Sequence, residues 1–146
     1  MHYKYTWNEE TGIATCTITK GNTSYTGTAI CHEDDEDMKN EKTGYTIATI
    51  RAEIACYVAE RDALAAQSQV LSELILSNKA HKKFNKKDRV FRTIVKKDRD
   101  IASKLEQTRI RIEILRNDLH ELIQKKETLY QKIRANRLRG TKDKED

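Results

Sequence analysis

FRTIVKKDRDIASKLEQTRIRIEILRNDLHELIQKKETLYQKI, residues 91–133, contains neither Gly nor Pro and keeps a seven-residue apolar rhythm. Phe91, Ile94, Ile101, Leu105, Ile112, Leu115, Leu119, Leu122, Leu129 and Ile133 follow one another at gaps of three, four or seven. That spacing sets them on one stripe of an α-helix, the a and d positions of a heptad. Asp98, Thr108 and Lys126 interrupt the stripe without shifting its phase. At 1.5 Å per residue such a helix is roughly 65 Å long. A compact globule of this chain length would be only about 40 Å across. The sequence thus predicts a helix that its own chain cannot wrap, with an apolar stripe that needs a partner.

A partner stripe lies upstream: Ile47, Ile50, Ile54, Tyr57, Leu64, Leu71 and Ile75, with Arg61 and Ser68 in phase. Ala48, Ala52, Ala55, Ala59, Ala63 and Ala66 raise helix propensity there and leave room for a close neighbour. The spacing predicts a first helix from about Thr43–Tyr45 to Ser77. Laid antiparallel, Ile47 meets Leu119, Ile54 meets Ile112, Arg61 meets Leu105 and Ser68 meets Asp98. Heptad patterns also allow registers differing by seven; this one puts the turn at a basic segment. Asn85 or Asp88 is placed to cap the second helix. Gly140 is its expected end, preceded by Lys132, Arg134, Arg137 and Arg139, the cations that a C-terminal dipole favours. Residues 141–146 then form a disordered tail. Beyond Leu119 the second helix outruns the first, so Leu122, Ile123, Leu129 and Ile133 must pack on another layer or on another subunit.

That layer is legible in residues 2–31. His2–Trp7 is rich in aromatics, Asn8–Gly12 is a turn sequence, and Ile13, Thr15, Thr17 and Thr19 alternate with Ala14, Cys16 and Ile18. Gly21-Asn22 is a two-residue hairpin signal, and 23–31 returns with Ser, Thr and Tyr. A three-stranded antiparallel meander follows, with Gly27 marking a bulge or a close backbone approach. The fold class expected is α+β: a β-meander and acidic loop over 1–44, then a two-helix antiparallel coiled-coil hairpin over 45–140.

Charged residues make up 35% of the 146-residue chain, which favours solvated helices over a thick core. The net charge of +5 is unevenly spread. Residues 33–41 carry six acids and one Lys, whereas 79–97 carry nine Lys or Arg and the single acid Asp88. An anionic ligand would be drawn to the second segment and repelled by the first. The acidic run lacks the alternating ligands and central Gly of a calcium loop, so no metal is expected there. Cys16, Cys31 and Cys56 form no CxxC pair and read as reduced thiols of a cytosolic protein. No apolar run reaches the length of a membrane span or a signal segment.

Catalytic constellations are missing. The five glycines are scattered, which excludes a phosphate-binding loop or a dinucleotide fingerprint. His120-Glu121 lacks the second His of a zinc protease helix, and no Ser sits in a nucleophile elbow. Neither cofactor nor catalytic residue is expected, and the chain reads as non-enzymatic. What remains is the basic segment around Phe84, Asn85, Arg89, Phe91 and Arg92. An aromatic there could stack on a base while Arg and Lys take phosphates. The plainer reading is a solvated turn whose aromatics close the hairpin. Arg109 and Arg116, seven apart, share a second basic helix face, although Glu113 stands four residues from Arg109 and could pair with it.

A short antiparallel β-region followed by two long helices that end basic resembles the Thoeris anti-defence protein 1 family of bacteriophages. The stretches Gly27-Thr-Ala-Ile-Cys-His-Glu-Asp and Gly44-Tyr-Thr-Ile-Ala-Thr-Ile-Arg-Ala-Glu have the look of small phage early proteins. The resemblance implies a homo-oligomeric sponge in the host cytoplasm. Such a sponge sequesters cyclic ADP-ribose isomers, or other cyclic nucleotides, without cleaving them. It also implies pockets between protomers, an aromatic and an Asn from one chain facing helix arginines of another. The nearest candidates are Phe84, Asn85 and Phe91 against Arg109 and Arg116, with Arg89 and Arg92 beside them. Two other readings stay open: a nucleic-acid binder or anti-CRISPR-type inhibitor using the basic tip, and a structural coiled-coil scaffold.

Overall fold

The computed structural model describes residues 1–30, 41–80 and 89–145, with the backbone alone at 78–80 and 140–145. The chain is α+β. Strands β1 (His2–Asn8), β2 (Ile13–Lys20) and β3 (Thr23–Ile30) form an antiparallel sheet in the order β1-β2-β3. Two long helices follow, α1 (Glu41–Ala80) and α2 (Arg89–Glu145). Two compact units are present, Met1–Ala55 with Ile114–Asp146 and, separately, Cys56–Glu113.

In the first unit the turns do what their sequence chemistry dictates. Asn8 Oδ1 accepts the N–H groups of Glu10 and Thr11 at 3.0 and 3.4 Å, curling the chain back. Gly12, at φ 67°, then donates its N–H to the Asn8 carbonyl at 2.8 Å. Gly21 takes φ 62° at the first position of the two-residue turn, the sign that hairpin turns of the primed types require. Residues opposite one another across the strands share a face. Ala14, Cys16, Ile18, Gly27 and Ala29 are buried on one side. The other side is polar, with hydroxyl contacts Thr17–Thr26 at 3.4 Å and Thr19–Ser24 at 3.3 Å.

Onto the buried side α1 lays Ile47, Ala48 and Ala52, and Trp7, Tyr45, Leu119 and Leu122 pack around that cluster. Gly27 is where strand and helix come closest. A Cβ there would collide with the Ala48 carbonyl oxygen and the Ala52 nitrogen, and would lie 2.9 Å from Arg51 Cβ. The ladder through Cys16↔Gly27 is unbroken. Of the two readings of this glycine, the close approach holds and the bulge does not. Gly44 has the same use at the start of α1, where a Cβ would lie 3.0 Å from Ala14 Cβ.

In the second unit Cys56, Thr108 and Ile112 are buried. A shallow groove of about 420 Å³ sets Ile101 near Ala66, Val70 and Leu71. That is within a turn of the register in which Ser68 meets Asp98. Thr108, the polar interruption of the stripe, donates its hydroxyl to the Lys104 carbonyl at 2.8 Å.

Two expectations need correction, one for each helix. The helices overrun their expected ends: α1 begins at Glu41 and continues to Ala80, and α2 runs through Gly140 to Glu145 in place of the disordered tail. A carboxylate suits the first turn of a helix. Glycine within a helix costs only about 1 kcal/mol relative to alanine, so without a proline it need not stop one. Beyond Leu119 the stripe meets the sheet layer in part, one of the two alternatives expected for it. Leu122 packs on the core cluster and Ile123 lines a cleft with Ala29 and Ile47, leaving Leu129 at 55% exposure.

Candidate ligand-binding site

Phe84 and Asn85 lie outside the described residues, as do the capping candidate Asp88 and the acidic run 33–40. Arg89, Phe91 and Arg92 form the first turn of α2; the two arginines are exposed and Phe91 is half-buried. Arg109 and Arg116 are exposed on the same helix. Phe91 and Arg109 belong to one unit, separated by about 27 Å of helix rise, so one chain does not bring them to one nucleotide. Arg116 belongs to the other unit.

Among the described residues the guanidinium groups are uncommitted. Among the described residues no ion pair engages Arg89, Arg92, Arg109 or Arg116; the one between Arg61 and Asp62, at 3.2 Å, is elsewhere. The intrahelical pair open to Arg109 and Glu113 is not formed. Exposed planar guanidinium forks with no carboxylate are matched to a doubly accepting anion such as a phosphate.

A second set of residues, missed by the sequence reading, comes together at the N-terminal end of α1. Tyr5, Lys42, Tyr45, Thr46, Thr49 and Ile50 line a cleft of about 410 Å³. Tyr5 meets Tyr45 edge to face, ring centres 5.4 Å apart, and Trp7 meets Tyr45 at 6.3 Å, both at 67°. Tyr45 donates its hydroxyl to Glu41 Oε1 at 2.9 Å. Loss of solvation, then the hydrogen bond to Glu41 and its charge, push the phenol's pKa up, keeping that proton in place. The Thr46 and Thr49 hydroxyls are donated to the carbonyls of Lys42 (2.9 Å) and Tyr45 (2.6 Å), leaving their lone pairs as acceptors. Beneath them Cys16 is buried, and burial raises its thiol pKa, against smaller lowering by the Thr49 side chain. Such a corner can stack a planar ring against tyrosine and offer one cation to an anionic group. The signal is in the sequence: Lys42, Tyr45, Thr46 and Thr49 follow the i, i+3, i+4, i+7 spacing of one helix face, but a polar face does not stand out by hydrophobic periodicity.

Along β3 a smaller cleft of about 190 Å³ holds Arg51 and Lys126. Arg51 Nη1 donates to the Thr28 carbonyl at 2.6 Å, and the Lys126 ammonium stands 5.6 Å from the Tyr130 ring centre. Both cations therefore have partners. Among the described residues no three His, Cys, Asp or Glu side chains converge as metal ligands, and no helix is long and apolar enough to cross a membrane. Comparison with protein-family models, with curated proteins and with solved structures gives no match.

Proposed function

We propose that this is a bacteriophage anti-defence protein that binds a cyclic nucleotide immune signal, of the cyclic ADP-ribose class, and withholds it uncleaved in the host cytoplasm. One observation carries the reading: exposed arginines along α2, Arg89, Arg92, Arg109 and Arg116, engage no carboxylate among the described residues. A pyrophosphate offers the doubly accepting oxygens that guanidinium forks bind. Resemblance in layout to the Thoeris anti-defence family supports the same class of ligand. The aromatic and the arginines lie far apart on one helix, so a pocket joining them takes them from two copies of the chain.

Calorimetry of the full-length protein with cyclic ADP-ribose isomers, followed by chromatography of the recovered ligand, tests this. Micromolar or tighter binding with intact ligand is expected. Arg109→Ala and Arg116→Ala should each weaken it at least tenfold, as loss of a charge-assisted contact worth about 1.5–3 kcal/mol requires. Time-dependent conversion of the ligand would mean an enzyme. No nucleotide binding, together with binding of single-stranded DNA or RNA lost on changing Arg92, Lys96 and Lys97, would mean a nucleic-acid binder. Neither form of binding would leave a structural scaffold.

A further inference from the structure

Three elements of the first unit close on the cleft along β3: Ala29 of β3, Ile47 and Arg51 of α1, and Ile123, Lys126 and Glu127 of α2. Its floor is apolar, with Ala29 and Ile47 only 1% and 2% exposed. Its rim is charged. Arg51 and Lys126 each have a partner, yet neither partner is an anion. The Thr28 carbonyl holds Arg51 through Nη1, and among the described residues no other nitrogen of that guanidinium is engaged. The Lys126 ammonium stands over the Tyr130 ring. A carbonyl and a ring face orient a cation without neutralising it. Glu127 lines the same cleft, and among the described residues it forms an ion pair with neither cation. Two cations and one carboxylate leave a single positive charge above an apolar floor.

We infer that this cleft binds a small organic monoanion with one ring-sized apolar body, an aromatic monocarboxylate being the simplest case. The head sits between Arg51 and Lys126, and the ring rests on Ala29, Ile47 and Ile123. Size supports the class. The cleft measures about 190 Å³, and a cavity of about 150 Å³ lined by aliphatic side chains holds a benzene ring. That space takes one ring and is too small for a strand or a helix. Charge supports it too. The two cations attract one carboxylate, while Glu127 repels a second negative charge, so dianions are disfavoured. The site shares no residue with the proposed nucleotide pocket, so the outcome for one does not decide the other.

Calorimetry of the full-length protein at neutral pH tests this with benzoate, its neutral isostere benzamide, and the dianion phthalate. Benzoate should bind at about 1 mM or tighter, an affinity within reach of so small a ligand. Benzamide and phthalate should each bind at least about tenfold more weakly. Lys126→Gln keeps most of the side-chain stem and removes the charge, and should weaken benzoate at least about fivefold. Lys125→Gln removes a neighbouring charge that lines a different surface, and should leave benzoate binding unchanged. Glu127→Gln should tighten phthalate more than benzoate. Circular dichroism checks that each variant keeps its fold. Absence of benzoate binding overturns the inference, as does equal binding of benzamide. Equal losses from Lys125→Gln and Lys126→Gln would mean attraction to net charge alone and overturn the site. Phthalate binding as tight as benzoate overturns the monoanion class, as does a Glu127→Gln protein that tightens neither ligand.

Discussion

At Gly27 the backbone of β3 passes so close to Ala48 and Ala52 of α1 that a methyl group has nowhere to go. Backbone atoms of a strand and a helix yield less than a side chain does, so Gly27→Ala should destabilise the protein by at least about 2 kcal/mol, read by thermal or urea unfolding. Its ladder partner Cys16 makes a separate prediction. Burial holds the thiol pKa above its ordinary value, so the folded state disfavours the thiolate more than the unfolded chain does. Stability attached to the neutral thiol is complete below the unfolded pKa and is lost as pH rises through the folded one. Stability should thus decline in the alkaline range, starting near the ordinary thiol pKa of about 8.5. Cys16→Ala should flatten the first part of that decline, while Tyr45, also shifted upward, keeps a later part. The mark left by Gly27 was visible in the sequence because a glycine inside a Thr-rich strand needs a reason. Cys16 was legible only as an inward position, since strand register brings Tyr5 to it and packing of α1 brings Thr49.

Among the elements, strands and turns were the most legible, because Asn8, Gly12 and Gly21 each carry a local backbone rule that little else overrides. The helices were legible as a pair through their heptads, and Leu119 does pack on the cluster that contains Ile47. Their ends were not. Gly140 is a stop signal only if a left-handed cap forms there, and α2 instead continues past it. The far part of the stripe was legible as needing the sheet or a second copy, but not in how it divides between them. Periodicity tells which residues share a face but not how much of that face a neighbouring sheet reaches. Leu122 touches the core and Leu129 does not, which separates two substitutions. Leu122→Asp should cost several kcal/mol, since it sets a charge against the apolar cluster. Leu129→Asp should change stability by less than about 0.5 kcal/mol. If wild type sediments as an oligomer and Leu129→Asp disperses it, the exposed end of the stripe carries the contact between copies.

For the molecule as a whole, the legible feature was the segregation of charge, and the illegible one was which charges are free. A single sequence cannot show that Arg51 is engaged while, among the described residues, Arg109 and Arg116 are in no ion pair, because Arg51 finds its partner, the Thr28 carbonyl, across the fold. The difference sets how binding should respond to salt. A protein that neutralises Z phosphates of a single strand loses affinity with a log–log slope of about −0.7Z. A tip engaging five or more phosphates through Arg89, Arg92, Lys96, Lys97 and Arg99 would therefore show a slope of about −3.5 or steeper. A cyclic dinucleotide-like ligand presents only about two charges and no long counterion atmosphere, so its slope should be nearer −1. Stacking on an aromatic, worth roughly 1–3 kcal/mol, scarcely responds to salt and flattens the dependence further. Titration of the full-length protein with a cyclic ADP-ribose isomer from 50 to 500 mM salt should thus leave affinity within about tenfold. The same series with single-stranded RNA should show weak binding that vanishes. Tight RNA binding with the steep slope, and none to the small ligand, would transfer the arginines of α2 from a nucleotide pocket to a phosphate backbone.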